Sequence, residues 1–125
     1  MKNKKRTKQV NDEQRLEESL AVIFDKSDNI HFEVSKEGIV IILLEQKHFV
    51  QRIFRRLGMD IPLYRRVRLD AKSSFVFNHI DGRKNVEDLG ELLKTEFGEE
   101  VYPIYPRLLT FLNQLEEQYR YIKRV

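Results

Sequence analysis

The sequence predicts an α+β fold that is winged-helix-like. A small antiparallel three-stranded sheet is followed by a three-helix bundle, with extra amphipathic helices at the N-terminus and inserted between strands. Segments with the alternation or β-branched content of strands fall within residues 30–44 and 64–69, and helical periodicity with capping residues fills the chain after Asp70. The 125 residues match the usual size of one domain. We therefore expect a disordered basic tail over residues 1–10 and a single domain over residues 11–125.

One short helix and a hairpin are predicted in the first third of the chain. Asn11 or Asp12 can cap the helix, and its apolar positions follow at helical spacing: Leu16, Leu20, Ile23 and Phe24. Residues 30–34 alternate apolar and polar side chains, as in a half-buried strand, and the turn that follows contains Gly38. Residues 39–44 are continuously apolar, which is typical of a strand covered on both faces. This is the predicted core strand.

An amphipathic basic helix is predicted between Gln46 and Gly58. Its apolar residues recur at helical spacing and basic residues lie on its other faces: Phe49, Val50, Ile53, Phe54 and Leu57 against Lys47, Arg52, Arg55 and Arg56. We expect the apolar face to cover the protein's own sheet, and a position on a membrane surface is the alternative. Beyond this helix, Arg66 and Arg68 alternate with apolar residues in a third strand over residues 64–69. The alternation predicts an edge strand.

Three helices are predicted after the third strand. Asp70 caps the first, which runs through His79, and Asn85 caps the second. Both end at glycines that can adopt positive φ, Gly82 and Gly98. The third helix begins near Tyr105, and its apolar stripe is Leu108, Phe111, Leu112, Leu115 and Tyr119. Tyr121-Ile122 is expected to close the fold as a short extended segment.

Composition and charge narrow the function classes. The absence of cysteine excludes disulfides, thiolate metal sites and cysteine nucleophiles. No stretch has the apolar length of a membrane span and no signal-peptide pattern is present, so we expect a cytoplasmic protein. Residues 47–68 carry seven Lys or Arg against one acid, whereas residues 85–118 carry eight acids against two bases. A basic patch attracts nucleic acid, anionic lipid or an acidic peptide, and charge does not choose among them.

Candidate catalytic chemistry is sparse. The histidines, His31, His48 and His79, are dispersed over a predicted strand, a helix start and a helix end. They lack the short-range spacing of a zinc site. The sequence contains neither a Gly-rich phosphate loop nor the G-x-S-x-G motif of serine hydrolases. It therefore predicts a protein that is not an enzyme and that binds no metal or cofactor.

Several motifs, taken in order, resemble those of the PqqD family. They are Leu69-Asp70 with Ser74 and Phe77, Ile80-Asp81-Gly82, Val86 with Leu89, Phe97-Gly98-Glu99, and Arg107-Leu108 through Leu115. Their order and spacing are kept across residues 68–122. Ser73 stands where the family usually has glycine, and Phe77 stands where tryptophan is common. The resemblance is therefore to a divergent member with an N-terminal extension.

The resemblance implies a non-catalytic peptide-binding chaperone. In this family a precursor peptide adds a strand beside the third strand, in the groove that this strand forms with the third helix. On this chain, the resemblance implies that the backbone of Arg66, Val67 and Arg68 forms the hydrogen bonds to the added peptide strand. The apolar pocket is formed by Leu108, Phe111 and Leu115, with Arg107 at its mouth. The arginines favour an acidic leader peptide. The implied partners are this precursor peptide and a peptide-modifying enzyme, a radical-SAM enzyme by family analogy. A core role for the three apolar residues is the alternative.

Two other functions stay open. A winged-helix nucleic-acid-binding regulator would use residues 47–68 and the basic tail. However, residues 98–104 exceed the usual helix-turn-helix connection, and Arg107 is the only basic residue of the last helix, so we do not expect a nucleic-acid partner. An oligomerisation or scaffolding module, such as a homodimer, would pair the open edge strand with its own copy.

Overall fold

The structure is a computed structural model that describes residues 13–45, 48–60 and 64–125. Helix α1 covers residues 13–20. The further elements are β1 (Phe24–Lys26), β2 (His31–Val34), β3 (Val40–Glu45), α2 (His48–Arg56), β4 (Tyr64–Arg68), α3 (Ala71–His79), α4 (Val86–Phe97), α5 (Ile104–Asn113) and β5 (Ile122–Arg124). A 3-10 turn, Gly98–Val101, follows α4, and a π turn, Gln114–Gln118, follows α5. The predicted α+β class, with small antiparallel sheets and several helices, is confirmed. The predicted tail and the caps Asn11 and Asp12 lie outside the described residues.

The chain forms two compact units. The sheet unit is Asp28–Asn78, and the helical unit joins the residues up to Ser27 with His79–Val125. The sheet unit is thus continuous in sequence, whereas the helical unit is built from two separate segments. Within the described residues, no helix combines the length and the apolar character that crossing a bilayer requires. The single domain over residues 11–125 stays a prediction.

A three-stranded antiparallel sheet in the order β2-β3-β4 organises the sheet unit. The register aligns Phe32, Ile42 and Val67 across the sheet, so their side chains share one face. On this face Ile42 is buried, and the ring of Phe77 from α3 meets Phe32 edge-on with the centroids 5.1 Å apart. The predicted hairpin is confirmed, and β3 is the central strand of this sheet. The expected coverage of β3 on both faces is found on one face only, since Val40 and Ile42 are buried whereas Ile41 and Leu43 are half-buried.

The hydroxyl of Ser74 joins α3 to the end of the β3–β4 ladder. Its Oγ accepts a hydrogen bond from the Val40 N–H at 2.9 Å and donates one to the Leu69 carbonyl at 3.3 Å. In the same rung, the Leu69 N–H donates to the Val40 carbonyl at 2.9 Å. Of the two backbone hydrogen bonds expected between Val40 and Leu69, one is direct and the other is replaced by a bridge through the Ser74 hydroxyl. Helix α3 starts beside it, where Asp70 accepts the Ser73 N–H as predicted.

Helix α2 is less covered than the sequence predicts. Ile53 is 52% exposed, and Leu57, just beyond the helix, is 69% exposed. The prediction that the apolar face covers the sheet is therefore wrong for these two residues. Helical periodicity identifies an apolar face but does not specify what covers it, and the sheet face that carries Ile42 packs on α3 instead. Gln46 and Lys47, and the side chains of Phe49 and Val50, lie outside the described residues.

Two distant segments of the chain pair in the helical unit. Strands β1 and β5 are antiparallel, with Phe24 opposite Arg124. Phe24 and Ile122 are buried, and the guanidinium of Arg124 lies 5.8 Å from the centroid of the Phe24 ring. The extended segment predicted near Ile122 is confirmed. The prediction that Ile23 and Phe24 belong to the N-terminal helix is wrong, because they pair with residues far along the chain that local periodicity does not reveal.

Helices α4 and α5 follow the predicted signals up to the π turn. Asn85 Oδ1 accepts the Asp88 N–H at 2.8 Å, and Asp88 Oδ2 accepts the Asn85 N–H at 3.0 Å, which forms a capping box. The stripe of the last helix keeps Leu108, Leu112 and Leu115 buried. The prediction for Tyr119 is wrong, since it lies beyond the helix and is 50% exposed. The wider π turn rotates the chain out of the α-helical stripe before this residue.

Candidate functional site

Strand β4 has an open edge among the residues that the structure describes, since the sheet order is β2-β3-β4. In an antiparallel ladder, residues that bond the neighbouring strand alternate with residues whose N–H and C=O point away from it. The Leu69 N–H bonds the Val40 carbonyl, so Val67, two residues earlier, also bonds β3. The backbone groups of Arg66 and Arg68 therefore point outward. Of the three β4 residues predicted to pair with a peptide, these two arginines therefore provide the backbone donors and acceptors that face away from β3.

The side chains of Arg66 and Arg68 lie on the sheet face opposite Val67. Arg66 Nη2 is 2.9 Å from Glu33 Oε2, and the two side chains are 61% and 54% exposed. An exposed pair of this kind contributes at most about 1 kcal/mol. Its main effect is to hold Arg66 across the central strand. Arg68 is exposed, so the open edge combines outward backbone groups with positive charge.

Helix α5 and the π turn carry the other predicted residues, in the helical unit. Leu108 and Leu115 are 3% and 2% exposed, which places them in the core. Arg107 is exposed and Phe111 is half-buried. Arg107 and Phe111 line a shallow concavity of about 360 Å³ together with Pro106, Thr110 and Gln114. In this structure a ligand therefore has access to Arg107 and Phe111 but not to the two leucines.

The concavity on α5 includes polar residues that sequence reasoning missed. Thr110 and Gln114 lie three and seven positions after Arg107, on the same side of the helix. The Thr110 hydroxyl donates to the Pro106 carbonyl at 2.8 Å. Helical spacing from Arg107 was an available signal, but a search for apolar stripes passes over polar residues. The predicted residues thus fall into two sets, one on β4 in the sheet unit and one on α5 and the π turn in the helical unit.

A second concavity lies at the end of α4. It measures about 670 Å³ and is lined by Lys94, Gly98, Glu99 and Tyr102. Its lining comes from the helix end and the turn that follows. Gly98 and Glu99 belong to the Phe97-Gly98-Glu99 motif, whereas no sequence motif marked Lys94 and Tyr102. Across the described part of the chain, no three His, Asp or Glu residues are grouped as metal ligands would be.

The titratable groups with shifted pKa values have local structural causes. Lys84, whose Nζ lies 2.6 Å from Asp81 Oδ2, holds the pKa of Asp81 well below its usual range. Burial lowers the pKa of Lys26. Burial and the nearby Glu91 carboxylate raise the pKa of Tyr105. Asp81 lies in the turn after α3, Lys26 lies in β1, and Tyr105 of α5 contacts Glu91 of α4.

Comparison with known proteins finds a match for one stretch of the chain. A family model described as coenzyme PQQ synthesis protein D (PqqD) matches residues 63–119. The match runs from β4 through the π turn and leaves out α1, β1, β2, β3, α2 and β5. It contains all of the predicted peptide-binding residues. No curated protein and no solved structure matches the chain.

Proposed function

Because the chain belongs to the PqqD family through residues 63–119, we propose that it is a non-catalytic peptide-binding chaperone. It captures the leader of a ribosomal precursor peptide by strand addition and presents that peptide to a modifying enzyme, a radical-SAM enzyme by family analogy. The description of the family, a protein of coenzyme synthesis, supports a role beside a biosynthetic enzyme.

The open edge of β4 is the observation that carries this proposal. The outward N–H and C=O groups of Arg66 and Arg68 are what an extended peptide needs to continue the sheet. Side chains of an added strand alternate between the two sheet faces. One of these faces carries Arg68 and the Arg66–Glu33 pair. Positive charge along the edge favours a leader with acidic residues.

The surface of α5 carries the other accessible residues of the predicted peptide site. Arg107 and Phe111 place a cation beside a half-buried aromatic ring. Aromatic and arginine side chains are frequent anchors in recognition surfaces. Leu108 and Leu115 act in this proposal as the core that supports the helix.

Amide NMR of the full chain during titration with the leader segment of a candidate precursor peptide from neighbouring genes tests the function. We expect saturable shifts confined to residues 65–69 and 107–115. Shifts concentrated over residues 47–56 would contradict the proposal. Binding of duplex DNA with a steep salt dependence would favour the nucleic-acid regulator instead. Peptide-independent dimers that form through β4 would favour the scaffolding module.

Substitution of Arg66 by proline separates strand addition from charge attraction. Arg66→Pro removes the outward N–H but no donor of the β3–β4 ladder, whereas Arg66→Ala removes the charge and keeps the N–H. We expect Arg66→Pro to weaken the peptide Kd by about tenfold more than Arg66→Ala, measured by calorimetry, because one ladder bond is lost. Val67→Pro is the control for sheet damage, since the N–H of Val67 bonds β3. Equal affinities for Arg66→Pro and Arg66→Ala would exclude strand addition at this residue.

A further inference from the structure

An exposed apolar surface runs along the C-terminal half of helix α2 and the turn after it. Ile53, Leu57 and Met59 are 52%, 69% and 54% exposed, although all three are large hydrophobic side chains. Phe54 is half-buried. Ile53 and Leu57 are four positions apart and therefore lie on the same side of the helical turn. We call these four residues the α2 strip.

The C-terminal cap of α2 adds Met59 to the strip. The Gly58 N–H donates to the Arg55 carbonyl at 3.0 Å, and the Met59 N–H donates to the Phe54 carbonyl at 2.9 Å. With Gly58 at φ 75°, these two bonds form a Schellman motif. In this motif the residue after the glycine returns toward the last turn of the helix. The backbone therefore fixes Met59 beside Phe54.

The other sides of α2 are cationic. Arg52, Arg55 and Arg56 are exposed, and no Asp or Glu occurs from Gln46 to Met59. A helix that fills a groove in a protein partner leaves its opposite face in water, where a mixture of charges serves equally well. A helix that lies in the plane of anionic headgroups uses its apolar face and its basic residues together. The charge pattern of α2 therefore matches a lipid interface.

We propose that the α2 strip docks the protein on an anionic phospholipid surface. The strip enters the boundary between headgroups and acyl chains, and the three arginines contact lipid phosphates. A helix of nine residues with strongly segregated faces lies in such an interface without crossing it. Nucleic acid gains nothing from exposed Ile53 and Leu57. A symmetric contact between two copies of the strip would bring like charges together.

Tryptophan fluorescence of the full chain tests whether the α2 strip is the surface that faces the lipid. The chain contains no tryptophan, so Leu57→Trp introduces a single fluorescent reporter. We expect its emission to shift to the blue, saturably, with vesicles of phosphatidylcholine and phosphatidylglycerol, and much less with phosphatidylcholine alone. Val34→Trp is the matched control, because Val34 is 49% exposed on β2, and its emission should not change. Equal responses from the two variants, or no response from Leu57→Trp, would overturn the proposal.

Vesicle cosedimentation separates the apolar and the charged contributions. We expect Leu57→Asp to lower partitioning by about tenfold or more, and R52Q/R55Q/R56Q to lower it by about a hundredfold on anionic vesicles. Val34→Asp should leave partitioning unchanged, and circular dichroism verifies that each variant is folded. Partitioning that survives both substitutions would overturn the proposal. A lipid-free dimer that Leu57→Asp dissociates would also overturn it, because the strip would then join two copies of the chain.

Discussion

Removal of the Ser74 hydroxyl tests how the end of strand β4 is held. Ser74 Oγ accepts the Val40 N–H at 2.9 Å, and Val40 is fully buried. In Ser74→Ala this N–H loses its acceptor in a place that water does not reach. A buried unsatisfied donor costs about 1–3 kcal/mol, and the longer bond to the Leu69 carbonyl, at 3.3 Å, adds little. We therefore expect the free energy of unfolding to fall by about 2 kcal/mol.

Urea unfolding of the full chain, followed by circular dichroism, measures this change. Ser27→Ala is the matched control, because the Ser27 hydroxyl donates to the Arg120 carbonyl at 2.8 Å at an exposed position. Water replaces the lost partner there, so the control should stay within about 0.5 kcal/mol of the parent protein. Hydrogen exchange of the Val40 amide should also accelerate in Ser74→Ala. A Ser74→Ala protein as stable as the Ser27→Ala control would refute the role of the hydroxyl bridge.

Three further outcomes are expected. Asn85→Ala loses the capping box of α4 and should lower the free energy of unfolding by about 1 kcal/mol in urea titrations, whereas Asn85→Ser should restore most of it. Phe77→Ala empties a fully buried site against Phe32 and should cost about 3–5 kcal/mol in the same assay; a cost no larger than that of Asn85→Ala would contradict the packing. The folded pKa of Asp81 lies below its unfolded value, so its contribution is present above about pH 4 and is lost as pH falls through the folded pKa. The stability difference between the parent and Asp81→Asn should therefore shrink on acidification, and a constant difference would refute the interaction with Lys84.

Signals that act within a few residues were sufficient to predict much of the fold. The reciprocal side chains of Asn85 and Asp88 mark the start of α4 because a capping box needs only a spacing of three residues. The continuously apolar segment 39–44 was recognisable as a strand of the core, and Val40 and Ile42 of β3 are buried. The alternation of arginines likewise marked β4 as an edge.

Properties that depend on distant partners could not be predicted. Phe24 belongs to a strand only because Arg124 and its neighbours pair with it. Leu108 and Phe111 look alike as apolar helix positions, yet one is buried and the other is partly exposed. The outward direction of the Arg66 backbone groups depends on the hydrogen-bonding phase of the ladder, which the Leu69–Val40 bond fixes. Sequence periodicity gives the side-chain face of a strand but not this phase.

The pairing of β1 with β5 has a consequence for folding during synthesis. All three strands of the sheet unit have emerged once Asn78 has left the ribosome, whereas β1 must wait for β5, almost the length of the chain later. Closing so long a loop is slow compared with forming the hairpin. We expect limited proteolysis of stalled nascent chains to show protection of residues 28–78 before residues 13–27, and simultaneous protection would contradict this order. The β4 edge is then available to another polypeptide before the helical unit is complete. Under the proposed function, a leader peptide present at that time would meet β4 on a nascent chain.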